Sequence, residues 1–469
     1  MISFVSQSDA PATLSYLRTR VTGASQVRAE RAIFISLLLL ILLSAVPFGS
    51  SEPWWQAIFE SAVFILAACT IISGMIERRW RPSGVIAPLI ALLMLAGVQV
   101  VPFAAKGIDL LPQISRSISF NQFQTKRFVI ELLSLILLLI MLLRLLCNRK
   151  NLKTLAQVVV IVGLGSATFA LWRGVMPSSW FQTLADGKLQ GESFGQFMNR
   201  NHFALMMEMS FGVALGLMFG LHQTRRYLYA AIAFCLCVAL VLSNSRGGII
   251  SMLGQVGFIA WFALGGLFGK NVDARDTDCE KSFWLITRVF VVRCVLIILV
   301  LSATLWSVLL VGGEPVRHRL ESVPGEFLVR SIDTENTSPR RLEIWQATWR
   351  LIKAHPWLGS GLGAYKTAIV PYFRSNDWQP QQAHNEYLEL LAGGGIVGGV
   401  LGIWFVFNLI KASWNTFRAA DQFRRAICFG AVVGLVGVSI HSVVDFGLHV
   451  TTNAFVCCAL VALATAKVE

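Results

Sequence analysis

Twelve apolar runs, each close to twenty residues long, limit what this chain can become. They cover approximately residues 32–49, 58–76, 84–103, 128–147, 152–172, 203–221, 227–244, 248–268, 289–311, 388–410, 426–443 and 450–466. A hydrocarbon core about 30 Å thick takes roughly 20 residues of helix, and an isolated helix is the one open conformation that satisfies its own backbone there. The pattern predicts an all-α polytopic membrane protein of about 12 transmembrane helices. Composition agrees: 14% of the 469 residues are charged, against about 25% in soluble domains. The first run follows a polar segment, residues 1–31, that carries Arg18, Arg20, Arg28 and Arg31 with no small-residue cleavage pattern behind it. It is expected to be a retained anchor rather than a signal peptide.

Lysine and arginine counts in the connectors give the expected orientation. With the N-terminus inside, the cytoplasmic segments hold 22 basic residues and the short external connectors 8. The domains that follow are a cytoplasmic segment 1–31, helices 1–9 over 32–311, an external loop 312–387, and helices 10–12 with a short tail over 388–469. In a bacterium the external side is the periplasmic face of the inner membrane. The net charge of +14 is dispersed in short clusters between apolar runs, which is topology signal and not a nucleic-acid footprint. Nine cysteines lie in apolar runs or basic connectors, none in the long loop and none in a CxxC pair, so no disulfide framework, structural zinc or redox dithiol is expected. No Walker A loop, GxSxG elbow or dinucleotide fingerprint is present.

Loops as long as 312–387 usually carry function. Within it, Leu342, Trp345, Trp349 and Ile352 recur at helical spacing, which predicts an amphipathic helix from Arg341 to Ile352 with that stripe on the bilayer surface or capping the bundle. His355-Pro356 and Gly359, Gly361 and Gly363 end it.

Three features from distant parts of the chain are expected on the external face. Arg246, in Ser245-Arg246-Gly247-Gly248, sits between two apolar runs with almost no connector. A charge there costs about 2.5 to 3.5 kcal/mol on insertion scales unless it is paired, so it calls for an anion, either a ligand or an internal carboxylate. Arg340 and Arg341 open the loop helix. Their planar donors suit a lipid diphosphate, and an ordinary headgroup-facing charge pair is the alternative. His384, in Ala383-His384-Asn385-Glu386-Tyr387-Leu388-Glu389, can exchange a proton near neutral pH, with Asn385 or Glu386 placed to orient a polar acceptor.

Asn199-Arg200-Asn201-His202 is a further external candidate, for which a basic helix-end cluster is the plain alternative. His441, Asp445 and His449 form an i, i+4, i+8 series, better read as a hydrogen-bonded polar seam than as a metal pair. Asp333-Thr334-Glu335 reads as solvated loop. The spacings of Gly212, Gly216 and Gly220, of Gly395 with Gly399 and of Gly398 with Gly402 are expected to reflect close helix packing.

Taken in order, Asn199 to Ala204, Ser245 to Gly248, Arg341 with Trp345, Pro356-Trp357-Leu358-Gly359-Ser360-Gly361-Leu362-Gly363 and Ala383 to Leu388 resemble the motifs of the bacterial O-antigen ligase and polymerase superfamily. The His441 to Asn453 stretch is similar to a C-terminal signature of some exopolysaccharide members. The resemblance covers about residues 190 to 465, and the first third matches in hydropathy alone. Gly393-Gly394-Gly395 departs from it, standing where many members carry an acidic residue.

The resemblance implies an enzyme that moves a glycan from undecaprenyl diphosphate to an acceptor hydroxyl on the periplasmic face, with inversion and without metal, nucleotide sugar or other cofactor. Arg246, Arg341 and His384 would be catalytic, and Arg340, Arg200, Asn199, Asn385 and Glu386 substrate-binding. The expected partners are the lipid-linked glycan, an acceptor glycan or lipid A-core, and the bilayer, with no nucleic acid. The likeness of His441 to Asn453 tips the reading toward a polymerase. A ligase building lipopolysaccharide is the alternative, and a lipid-linked glycan flippase is the alternative of another class.

Overall fold

A computed structural model describes residues 10–73, 83–102, 117–175, 193–221, 224–269, 341–373, 379–419 and 421–467. Among these the chain is helical, and the only pairing outside helices is an isolated bridge between Phe194 and Phe197. The long helices are α1 (Ala10–Ser44), α2 (Pro53–Ile72), α3 (Ile86–Val100), α4 (Gln122–Leu145), α5 (Arg149–Val175), α6 (Arg200–Gly220), α7 (Thr224–Leu242), α8 (Arg246–Gly269), α9 (Arg341–Ala354), α10 (Glu386–Ala419), α11 (Gln422–His441) and α12 (Thr451–Thr465). Eleven of the twelve apolar runs fall on α1–α8 and α10–α12. The remaining run, 289–311, lies outside the described residues, as do Asp333 to Glu335 and Arg340. Seven of the described helices are long and apolar enough to cross a membrane, and α3 and α12 are shorter apolar helices. This is a polytopic helical membrane protein.

Helix starts are written locally. Asn121 caps α4 through Gln124 N, Asn199 caps α6 through Asn201 N, and Asp421 caps α11 through Arg424 N. Each side-chain oxygen takes one of the backbone donors that a first helical turn leaves unpaired.

Helix α6 is the axis of the bundle, and four-fifths of its apolar window is buried. It meets α11 backbone to backbone: a Cβ on Gly212 would lie 2.4 Å from Gly434 N and 2.5 Å from Gly430 O. Small residues at i and i+4 let two helices approach this closely, and van der Waals contact then replaces the hydrophobic drive that lipid cannot supply.

The second glycine group behaves otherwise. Helix α10 is broken at Gly395 (φ 63°, ψ −160°), and residues 356–363, expected to form only a turn, fill the break. Ile396 N donates to Pro356 O (2.7 Å), Ser360 N to Ala392 O (2.9 Å) and Gly361 N to Gly393 O (3.1 Å). Gln99 of α3, fully buried, clamps both strands: Nε2 donates to Leu358 O (2.6 Å) and Gly393 O (2.8 Å), and Oε1 accepts from Leu362 N (2.9 Å). Gly399 and Gly402 face Leu391 and Leu390 of the same element and not a second helix. The glycines between 393 and 402 therefore serve a break, because only that geometry lets a non-helical strand enter the bundle with its polar groups paired.

Helix α9 forms where the apolar spacing put it, with a second apolar face turned inward. Ile344, Ala347, Thr348, Leu351 and Ile352 are its buried face, while Leu342 and Trp349 are exposed. Thr348 and Tyr365 share a hydrogen bond (2.6 Å) inside a small core under this helix.

At one end of the bundle Arg149 pairs with Asp421 (3.8 Å), and the Arg424 guanidinium donates to the carbonyls of Leu463 and Ala466. The starts of α2, α4, α6, α8 and α10 and the end of α11 lie at the other end. This is the alternation that the charge counts require.

Candidate functional site

Four segments distant in sequence converge at that second end. Ser245 Oγ donates to Asn201 Oδ1 (2.7 Å), and a Cβ on Gly248 would lie 2.7 Å from that of Ala204, which joins the starts of α6 and α8. Gly247 faces His441, its missing Cβ 3.2 Å from Nε2. Glu386 N donates to Ser442 O (2.9 Å), and Asn453 Nδ2 bridges His202 O and Gly447 O (both 3.1 Å). Helix α9 is tied in by Trp345, whose Nε1 donates to Ala383 O (3.0 Å).

The join holds three imidazole–carboxylate pairs. His384 Nδ1 lies 3.5 Å from Asp445 Oδ1, with the histidine side chain 28% exposed and the aspartate 1%. His441 Nδ1 meets Glu208 Oε1 at 2.7 Å, both completely buried. His449 Nε2 stands between Glu386 (3.4 Å) and Glu389 (3.6 Å). The Phe446 ring sits at the centre, edge-on to His384 (4.8 Å), His202 (5.1 Å) and His449 (5.9 Å). Among the described residues no set of three His, Cys, Asp or Glu side chains is arranged to hold a metal ion. The series His441, Asp445, His449 is a seam of paired groups, each facing a residue from another helix.

Electrostatics follow from this packing. Burial pushes the Asp445 carboxyl up, but His384, His202, His441 and the Arg341 guanidinium oppose it and hold the group well below the usual carboxylate range. Burial also disfavours the His449 cation, and Glu386 and Glu389 overcome it, raising that imidazole to about 10. Asp445 is thus a fixed anion with the more accessible His384 against it. At 3.5 Å His384 Nδ1 faces this carboxylate without a hydrogen bond to it; closing that distance would favour the tautomer protonated at Nδ1 and leave Nε2 as the basic nitrogen, the arrangement a general base requires.

Seven of the eight expected site residues lie within the described residues, and Arg340 lies outside them. His384 takes a left-handed backbone (φ 50°) that turns the chain from the loop into α10, and Asn385 caps that helix through Leu388 N (3.0 Å). The Glu386 carboxylate is engaged by His449 and by Leu448 N (3.2 Å). Arg341 opens α9 within electrostatic reach of Asp445 and His441. Arg246 and Arg200 are the first residues of α8 and α6, at the junction that Ser245 and Asn201 tie together. Asn199 caps α6 immediately before Arg200.

Glu208, Glu389 and Phe446 are not among the residues that the sequence singles out, and Asp445 is singled out as part of a polar seam without its partner His384. Glu208 had a usable signal, since a carboxylate inside an apolar run is costly unless it has a partner. Glu60 and Glu131 likewise lie within apolar helices, α2 and α4.

Residues 230–403 match the family model described as O-antigen ligase, which bears out the resemblance read from the motifs over that stretch. The match takes in Ser245 to Gly248, Arg341 and Ala383 to Glu389. The Asn199 to His202 and His441 to Asn453 segments lie outside it and reach the same site through the fold. No curated protein matches the chain.

Proposed function

We propose, for a chain that carries the O-antigen ligase family region over residues 230–403, a glycosyltransferase on the periplasmic face of the bacterial inner membrane that takes glycan from undecaprenyl diphosphate. The observation that carries this reading is the His384–Asp445 pair at the end of the bundle where α6, α8 and α9 each begin with an arginine. In the reaction, His384 Nε2 takes the proton of an acceptor hydroxyl and that oxygen bonds to the anomeric carbon from the face opposite the phosphate. The C–O bond to the diphosphate then breaks, its electron pair leaving on the phosphate oxygen. Arg246 and Arg341 offset the charge that builds there, with Arg200 and Arg340 supporting the lipid diphosphate. Asn199 and Asn385 act through the helix starts they cap, and Glu386 through His449. The scheme uses no metal, and inversion follows from the single displacement.

The purified protein, incubated with lipid-linked glycan and acceptor in the presence of chelator, is expected to transfer sugar. His384→Ala and Arg246→Ala in well-expressed protein are expected to abolish transfer, and unchanged transfer in either would remove these roles. A polymerase is the favoured product class. A deletion strain that accumulates single repeats on the lipid fits a polymerase, whereas long chains left on undecaprenyl diphosphate mark a ligase acting on lipid A-core. One observation speaks for a flippase instead: α10 is interrupted at Gly395 within a span, as in carriers with discontinuous helices. Movement of lipid-linked glycan across vesicles without any new glycosidic bond would favour that reading.

A further inference from the structure

Behind the Glu386–His449 wall lies a cavity of about 970 Å³, bounded by the starts of α2, α4 and α10, the Gly363 to Val370 segment, and Leu448 and His449. Its size is at the upper end of ligand pockets, which run from about 300 to 1,000 Å³. Its lining sets an apolar side, with Phe128, Leu132, Leu135, Val370 and Leu448, against a polar one. Six carboxamides face it, from Gln56, Asn121, Gln124, Gln379, Gln381 and Gln382. Arg127 and Lys366 stand against Glu131, Glu386 and Glu389, with His449 held between the last two.

Two basic side chains, Arg127 and Lys366, face three carboxyl groups, so the chamber has no cluster of cations of the kind a diphosphate calls for. It offers many neutral donors and acceptors in fixed positions. Asn121 is braced by Thr367 (Nδ2 to Oγ1, 3.1 Å) and Gln56 by Arg127, while Gln379 Oε1 is buried without a hydrogen-bond partner. An amide both donates and accepts, as does a hydroxyl, so a wall of amides matches a ligand that is mostly hydroxyl groups. Arg200, Arg246 and Arg341 are not among the lining residues, and His384 lies across the Phe446 ring from His449.

We propose that this cavity is a saccharide subsite taking uncharged sugar residues of the glycan, next to the reacting group. It rests on the transferase reading for which sugars these are, and on its own lining for the fact that they are sugars. Two sources are open, the sugars of the lipid-linked donor and those of the acceptor.

The test measures binding to full-length protein in nanodiscs for three probes: undecaprenyl diphosphate, the lipid-linked glycan extracted from a strain deleted for this chain, and the free glycan released from that lipid by mild acid. Gln124→Trp fills the cavity. Gln381→Ala removes one rim amide with little risk to folding. Sugar-free lipid is expected to bind both variants as it binds the wild type. Free glycan is expected to weaken about tenfold or more in Gln124→Trp, equivalent to about 1.4 kcal/mol, and about threefold in Gln381→Ala, the effect of one hydrogen bond. If only lipid-linked glycan weakens, the donor's sugars are the occupants. The proposal is overturned if neither glycan probe weakens in either variant, or if all three probes weaken alike. Cavity-dependent glycan binding by a wild-type protein that transfers nothing would sink the transferase reading and leave this one standing. Transfer with no cavity dependence would do the reverse.

Discussion

Asp445 is buried almost completely and stays charged because three imidazoles and the Arg341 guanidinium surround it. Such an anion can orient His384 and stabilise its cation without itself taking up the proton. Asp445→Asn is therefore expected to lower kcat by about 10² or more with KM little changed, since general-base steps are worth about 10² to 10⁴. Equal kinetics in Asp445→Asn and wild type would show that the contact has no part in turnover. His449 gives a second, independent test. Its folded value is raised to about 10 from an unfolded value near 6.5, so the stability it contributes is present in full below about pH 6.5 and is withdrawn as pH rises toward 10. Thermal melts of the wild type should fall across that window and those of His449→Gln should be flatter. Parallel curves would exclude the pairing. His384 was legible in sequence because its neighbours form a motif. Asp445 was legible as part of a polar seam but its pairing with His384 was not, because that is made by the turn between α11 and α12 approaching the start of α10, and neither segment encodes the other.

Within the elements, the apolar runs marked the helices well because hydrocarbon leaves the backbone no alternative. What they concealed was the interruption of α10. Glycines at four-residue spacing favour close packing and also permit φ above zero, and sequence alone does not choose between these uses. For Gly212 the packing reading holds. For Gly395 the break prevails, since a Cβ there would lie 2.3 Å from Trp357 O. Gly395→Ala is expected to destabilise by about 1–3 kcal/mol from the backbone conformation alone, with the collision in addition. Gln99→Leu removes the partner of two carbonyls and one amide in the interior, at about 1–3 kcal/mol for each group left unsatisfied. Both should appear as lowered melting temperatures in detergent, and a Gln99→Leu protein as stable as wild type would mean that the clamp contributes nothing. Helix α9 is a similar case: its stripe with the tryptophans was visible in the spacing, whereas the face that fills the small core beneath it, Ile344, Ala347 and Leu351, was not.

For the molecule as a whole, counting charges in the connectors gives an orientation that only labelling can test, while contacts show which described helix ends lie together. The Arg149–Asp421 pair marks one end and the His384–Asp445 pair the other. Labelling with a membrane-impermeant maleimide in a cysteine-free background should therefore reach Gln381→Cys from the outside of intact cells and Arg149→Cys only after permeabilisation. The opposite pattern would invert the topology and place the proposed site in the cytoplasm. The amide-lined cavity could not be read in advance, because about half of its wall, from Ser51 to Leu135, comes from the first third of the chain, where the resemblance was only one of hydropathy, and meets residues 363–449 only in the fold.

The strand that plugs the gap in α10 has a mechanical consequence. Its amides and carbonyls are the counterparts of those left open at Gly393 to Val397, so withdrawing it would strand polar backbone groups inside the bundle. Helix α9, the strand that follows it and the opening turns of α10 should then travel as one lever, pivoting near Gly395. A load on the water-exposed side of α9, from a neighbouring protein or a long sugar chain, would be delivered as a tilt of the imidazole at the lever's tip.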